Sequence, residues 1–170
     1  MRGPDLRRLY DEHAQPLYAF LLNLTRNESD TQDVLQQVFL KLAHDENVLH
    51  GVRDKRSFLI RLAHNAALDL MRRHDTRERA RKSYAVEAAS IFAPATDPDE
   101  QTFRAEVAAA LAALPGEQRT VVHLKLWEGL TFEQIAMALE IPSNTAASRY
   151  RYGLDKLRAR LRLLYDEMKD

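Results

Sequence analysis

The sequence predicts an all-α chain: two small helical domains, 1–82 and 98–170, joined by a flexible linker over 83–97, the second ending in a helix-turn-helix. Three observations predict it. Apolar residues recur at steps of three or four through most of the 170 residues. Only five glycines and few β-branched runs leave little room for a sheet. Between Ser83 and Asp97 the periodicity fails, Pro94 appears and Lys and Arg are absent, which is the composition of a connector. Two domains of this size each have a thin core.

The first helix spans Asp5 to Leu24, with Leu6, Leu9, Tyr10, Leu17, Phe20, Leu21 and Leu24 apolar, and Pro16 predicts a break within it. Ser29 and Gln32 have capping-box spacing, Asp30 and Asp33 suit the positive end of the dipole, and Val34, Leu35, Val38, Phe39 and Leu42 form a stripe reaching about His44. Residues 45–54 hold Gly51 and no periodicity and read as a loop. Helix resumes from Ser57 to about His74, with Phe58, Leu59, Leu62, Ala63, Ala66 and Leu70 inward. Asn65 and Asp69, four apart, can bond each other there. Beyond the connector, Asp97-Pro98-Asp99-Glu100 is a helix start, followed by Phe103, Val107, Ala110, Leu111 and Leu114 on one side. Pro115-Gly116 breaks that helix, and Glu117 to Glu128 forms the next, stopped at Gly129 and with Trp127 expected in the core.

The last two helices carry the functional signal. Thr131 and Gln134 form a capping box, Ile135, Ala136 and Leu139 give one apolar side, and Ile141-Pro142 ends the short helix. Ser143 is the next N-cap candidate, and Ala146, Tyr150, Leu154, Leu157, Leu161 and Leu164 stripe a long helix. Off that stripe lie Asn144, Thr145, Ser148, Arg149, Arg151 and Tyr152, the short polar groups and arginines that a helix entering a major groove presents to base edges. A hairpin with a merely solvated charged side has the same spacing. Charge favours the DNA reading. Arg149 to Arg162 holds six bases against one acid in a chain with 25 of each, and Arg53 to Lys82 holds ten bases against four acids. Phosphates account for two such patches.

Other classes fit less well. Without cysteine there is no disulfide or thiol chemistry. The six histidines show no metal-ligand spacing, so no metal and no cofactor are expected. No nucleophile, base and oxyanion set and no phosphate-binding glycine loop argue for an enzyme. No apolar run approaches a membrane span, so a cytoplasmic protein without membrane insertion is expected.

Three stretches in order resemble the small two-domain sigma factors of bacterial RNA polymerase, the extracytoplasmic-function group of the sigma-70 family. SDTQDVLQQVFLKL is similar to the segment that docks on the clamp of core polymerase, RSFLIRLAHNAALDLMRR to the one that opens and reads the minus-10 element, and LPGEQRTVVHLKLWEGLTFEQIAMALEIPSNTAASRYRYGLDKLRARL to the minus-35 reader. The resemblance implies core RNA polymerase and promoter DNA as partners and makes an anti-sigma factor a further one. It assigns polymerase binding to Asp33, Gln36, Gln37 and Leu40, minus-10 contacts to His64, Asn65, Arg72 and Arg73, and minus-35 contacts to the six polar residues from Asn144 to Tyr152. The chain departs from the family's usual residues at Asn144, Ala146 and Ala147, at Phe58 and His64, and at Gln32 and Gln37. A helix-turn-helix regulator that binds DNA alone as a dimer is the alternative, but no dimer seam is evident. A purely protein-binding adaptor leaves both basic patches unexplained.

Overall fold

The computed structural model describes residues 3–45, 47–78 and 98–167, and among them every regular element is a helix. In chain order these are α1 (Gly3–Thr25), α2 (Glu28–His44), α3 (Lys55–Glu78), α4 (Pro98–Ala112), α5 (Gly116–Leu126), α6 (Phe132–Leu139) and α7 (Ser143–Glu167). The connector expected over 83–97 and the side chain of Leu164 lie outside the described residues.

Several local expectations are corrected. Pro16 does not break α1. Interior proline removes a backbone bond and costs about 3 kcal/mol, but the helix around it buries Leu9, Leu17, Phe20, Leu21, Leu22 and Leu24, and that burial outweighs the loss. The cap of α2 is Asn27, not Ser29: Asn27 is extended, and its side chain accepts from the Asp30 amide at 2.9 Å. Helix α3 starts at Lys55, two residues before the expected Ser57, and Ser143 is already inside α7 rather than its N-cap. Thr131 and Gln134 exchange both capping-box bonds, at 3.1 and 2.9 Å. Gly129 is left-handed, with φ +64°. The short helix α6 ends because Glu140 itself turns left-handed, at φ 56°, just ahead of Pro142.

Helices α1 to α3 pack on one another, as do α4 to α7, but the two halves also lie against each other, α1 on α5 and α3 on α6. One apolar core runs through both, from Leu17, Phe20, Leu59 and Ile60 to Val121, Leu124, Ile135 and Leu139. A smaller cluster seats α4 on α7 through Ala110, Leu111, Leu114, Val122 and Leu157. Phe103 lies outside it, 58% exposed, and Trp127 is not core either: its ring stacks on His123 at 5.6 Å at the end of α5. Gly153 is buried where α7 crosses α5, and a Cβ there would meet Val122 Cγ2 at 2.7 Å, so the crossing admits no larger residue without a shift.

Arginines close the seam. The buried Arg119 donates through Nε to the Asn23 carbonyl at 3.0 Å and through Nη1 to the Ala112 and Leu114 carbonyls at 3.1 and 3.2 Å. Arg26 reaches the Ala112 carbonyl at 2.9 Å. The C-terminal ends of α1 and α4, whose last carbonyls lack helical partners and carry the negative end of the dipole, thus meet two cations.

Candidate nucleic-acid interface

α7 begins immediately behind the α6 cap, and its first turns divide as the stripe requires. Ala146 is fully buried, and Tyr150 meets Phe132 edge-on at 5.6 Å. Asn144, Arg151 and Tyr152 are exposed, Thr145 and Ser148 half-buried. The Arg151 guanidinium lies 5.2 Å over the Tyr152 ring, which is 53% exposed. Arg149 is committed within the protein: its Nη2 sits 2.8 Å from Glu117 Oε2 at the start of α5. Glu117 is largely solvated, so the pair is worth at most about 1 kcal/mol and can be exchanged for a DNA acceptor. Lys156, Arg158 and Arg160 continue the solvent side.

On α3 the expected minus-10 residues separate. Asn65, Arg72 and Arg73 are exposed, and Arg72 stands 3.5 Å from Asp69, the residue with which Asn65 could have bonded. His64 instead faces the other half. Its ring lies 6.5 Å from that of Phe20, its Nδ1 is buried without a hydrogen-bond partner, and Glu140 and Arg149 act on it electrostatically. Burial lowers its pKa below the ordinary 6.5.

The four expected polymerase contacts, Asp33, Gln36, Gln37 and Leu40, are all exposed on α2, with Leu40 at 49%. Beside them a shallow groove of about 470 Å³ is lined by Leu6, Tyr10, Leu35, Phe39 and Leu40. Phe39 is core at its base, with Tyr10 edge-on at 4.8 Å, while Leu35, expected inward, is only half-buried at the groove margin.

Sequence reasoning missed the residues that join the halves. Arg56 Nη2 donates to Glu128 Oε2 at 2.5 Å, and Gln134 Nε2 donates to Asp54 Oδ2 at 2.9 Å. Desolvation works against the Glu128 charge, but the Arg56 hydrogen bond and the His123 ring, whose Nε2 lies 3.7 Å from Oε1, outweigh it and hold the carboxyl below its ordinary value. For Asp54 the Ser57 amide does the same. No local pattern marks these pairs, whose members stand 72 and 80 residues apart. No group of three or more acidic, histidine or cysteine side chains that could hold a metal exists among the described residues, and no helix there is long and apolar enough to cross a membrane.

These shifts set a pH dependence. The half-buried His64 binds fewer protons than its unfolded counterpart because its pKa is lowered, so its contribution to stability is full above 6.5 and is lost as pH falls toward its lowered value; the lowered carboxylates act in the same direction at more acidic pH. The melting temperature should therefore fall as pH drops below the ordinary histidine value of 6.5, and His64→Leu should flatten that slope. An equal slope in wild type and variant would remove His64 as its source.

Comparison with known proteins agrees with this geometry at both ends. The family model described as Sigma-70 region 2 matches residues 9–77, and that for Sigma-70, region 4 matches residues 110–159. The chain is 32% identical over 163 residues to the ECF RNA polymerase sigma factor SigL of Mycobacterium tuberculosis, covering 94% of this chain and 90% of that protein. It is 27% identical over 167 residues to ECF RNA polymerase sigma factor SigX of Bacillus subtilis, covering 95% and 86%. Its fold is similar to that of the sigma factor RpoE of Bartonella quintana, solved in complex with the anti-sigma factor NepR, with a TM-score of 0.77, 20% identity and coverage of 93% and 97%.

Proposed function

The chain belongs to the sigma-70 family, in its extracytoplasmic-function group, and from that premise we propose that it binds core RNA polymerase through α2 and directs it to promoters through α3 and α7. Residues 1–82 dock on the clamp and read and melt the minus-10 element, 83–97 link, and 98–170 read the minus-35 element. The observation that carries this reading is the start of α7: a helix-turn-helix with a complete capping box sets Asn144, Arg151 and Tyr152 in the open, with Thr145, Ser148 and Arg149 beside them. A helix so placed can enter a major groove end-first. Asn65, Arg72 and Arg73 reach the minus-10 strand, with His64 joining them once uncovered, and Asp33, Gln36, Gln37 and Leu40 meet the clamp. The protein acts without catalysis of its own, in the cytoplasm, where polymerase and DNA are. An anti-sigma protein is among its partners, as one is named for the Bartonella neighbour. The stand-alone regulator is not favoured, because the N-terminal half is itself matched by a sigma region.

Co-elution with core polymerase and initiation that core alone cannot perform test the whole. Arg149→Ala tests the reader: it should leave thermal stability and core binding nearly unchanged and relax preference at one minus-35 position by roughly 1 to 3 kcal/mol, the worth of a bidentate arginine on guanine. Uniform weakening across all upstream sequences would make Arg149 a phosphate contact, and no weakening at all would leave it with Glu117 only.

A further inference from the structure

Arg149 stands at the open start of α7, yet its side chain is only 25% exposed and its Nη2 lies 2.8 Å from Oε2 of Glu117. The carboxylate is fixed in place. Glu117 belongs to the first turn of α5, where the positive end of the helix dipole suits an acid. The backbone there is held down: the Gln118 and Arg119 amides donate to the Pro115 carbonyl at 3.0 and 2.9 Å, and Arg119 Nη1 donates to the Leu114 carbonyl at 3.2 Å.

The arginine's helix is fixed against the same turn. Gly153 follows Arg149 by one helical turn and lies on the same side of α7. A Cβ at 153 would lie 2.7 Å from Val122 Cγ2 and 3.5 Å from the Cβ of Gln118, the neighbour of Glu117. Close packing thus sets the distance between the backbone that carries the carboxylate and the backbone that carries the guanidinium.

A bidentate contact to guanine needs two N–H groups of one guanidinium aligned with the base. Arginine brings to it a long stem of many rotamers, so an orientation imposed beforehand reduces what is lost on binding. Nη2 has two N–H groups and Glu117 takes one; the other stays available, with those on Nη1 and Nε. The pair is weak enough to be exchanged for DNA, but these spare donors make exchange unnecessary.

We propose that Glu117 is a positioning residue for minus-35 reading, keeping its hold on Nη2 while the rest of the Arg149 fork meets a base. This rests on the base-reading role given to Arg149 above.

The test uses the full chain on core polymerase, with promoter fragments changed one base at a time across the minus-35 element. Glu117→Ala should relax preference by roughly two- to fivefold, the range an exposed ion pair can supply, at the same base position that Arg149→Ala relaxes. Glu117→Gln keeps an oxygen that can accept from Nη2 and should restore most of the preference. Adding Glu117→Ala to Arg149→Ala should relax it no further, since nothing is left to position. Because the Glu117 side chain is 72% exposed, helix content and melting temperature should match wild type in both Glu117 variants. Equal tightening on every fragment would reduce Glu117 to a repulsion of phosphate. Relaxation at a different position, or an added loss in the double variant, would uncouple it from Arg149; each of these results overturns the proposal. So does Glu117→Ala indistinguishable from wild type while Arg149→Ala relaxes preference, a result that leaves the base-reading role standing. If Arg149→Ala itself changes no preference, the base-reading role falls and the positioning role with it.

Discussion

Phe20→Ala should destabilise the protein by about 3 to 5 kcal/mol, the usual cost of emptying a buried phenylalanine site. Phe20 is 1% exposed and sits where the halves meet, 6.5 Å from the His64 ring on α3 and 6.0 Å from the His123 ring on α5. Neither half can collapse into the space left without pulling on the other. Denaturant unfolding followed separately by signals from each half should therefore show both midpoints moving together, because one core serves α1, α3, α5 and α6. Phe103→Ala is the control: with 58% of that residue in solvent, its effect should stay within about 0.5 kcal/mol. If Phe20→Ala shifted only the N-terminal signal, the shared core would not exist in solution.

Joint replacement of Asp33, Gln36 and Leu40 by alanine should abolish binding to core polymerase while leaving helix content unchanged. All three side chains are exposed, so the folded state loses little with them, and Gln36 and Leu40 line the apolar groove of α2. An interface concentrates its energy in a few such anchors around a patch that can be dried. Leu42→Ala separates folding from docking. Leu42 is fully buried, and its loss should cost about 2 to 5 kcal/mol of stability, with core binding retained by the fraction that folds. A folded triple variant that still bound core with wild-type affinity would move the docking surface elsewhere.

What could be read in the sequence follows from how far apart the interacting groups are. The turn between α6 and α7 was legible because its determinants are neighbours: Thr131 with Gln134, and Pro142 shortly after the left-handed Glu140. The buried stripe of α7 was legible for the same reason, since Ala146 and Leu157 are placed by period alone. Asn27 was overlooked as the cap of α2 because Ser29 two residues later has an equally good pattern, and only backbone geometry chooses between them. Phe103 and Trp127 were assigned inward because a period says which side a residue is on, not whether anything packs there. His64 shows the limit most clearly. Its position on a basic helix pointed to DNA, but its actual neighbours, Phe20, Glu140 and Arg149, come from three other parts of the chain. Arg119 and the Arg56–Glu128 and Asp54–Gln134 pairs fall in the same class, invisible until the chain is folded.

The grip of Arg119 on the Asn23 carbonyl spans 96 residues, and that span has a meaning in time. A ribosome adds on the order of 5 to 20 residues per second, so α1 is complete roughly 5 to 20 seconds before the arginine that caps its end and the Val121 and Leu124 side chains that share its core are made. During that interval the nascent chain presents Phe20 and its neighbours without their cover. Helices α2 and α3 arrive sooner and shield part of that surface, but the remainder waits for α5. Slowing translation within α4 or α5 prolongs this interval, so the codons of the C-terminal half bear on how much N-terminal half escapes aggregation.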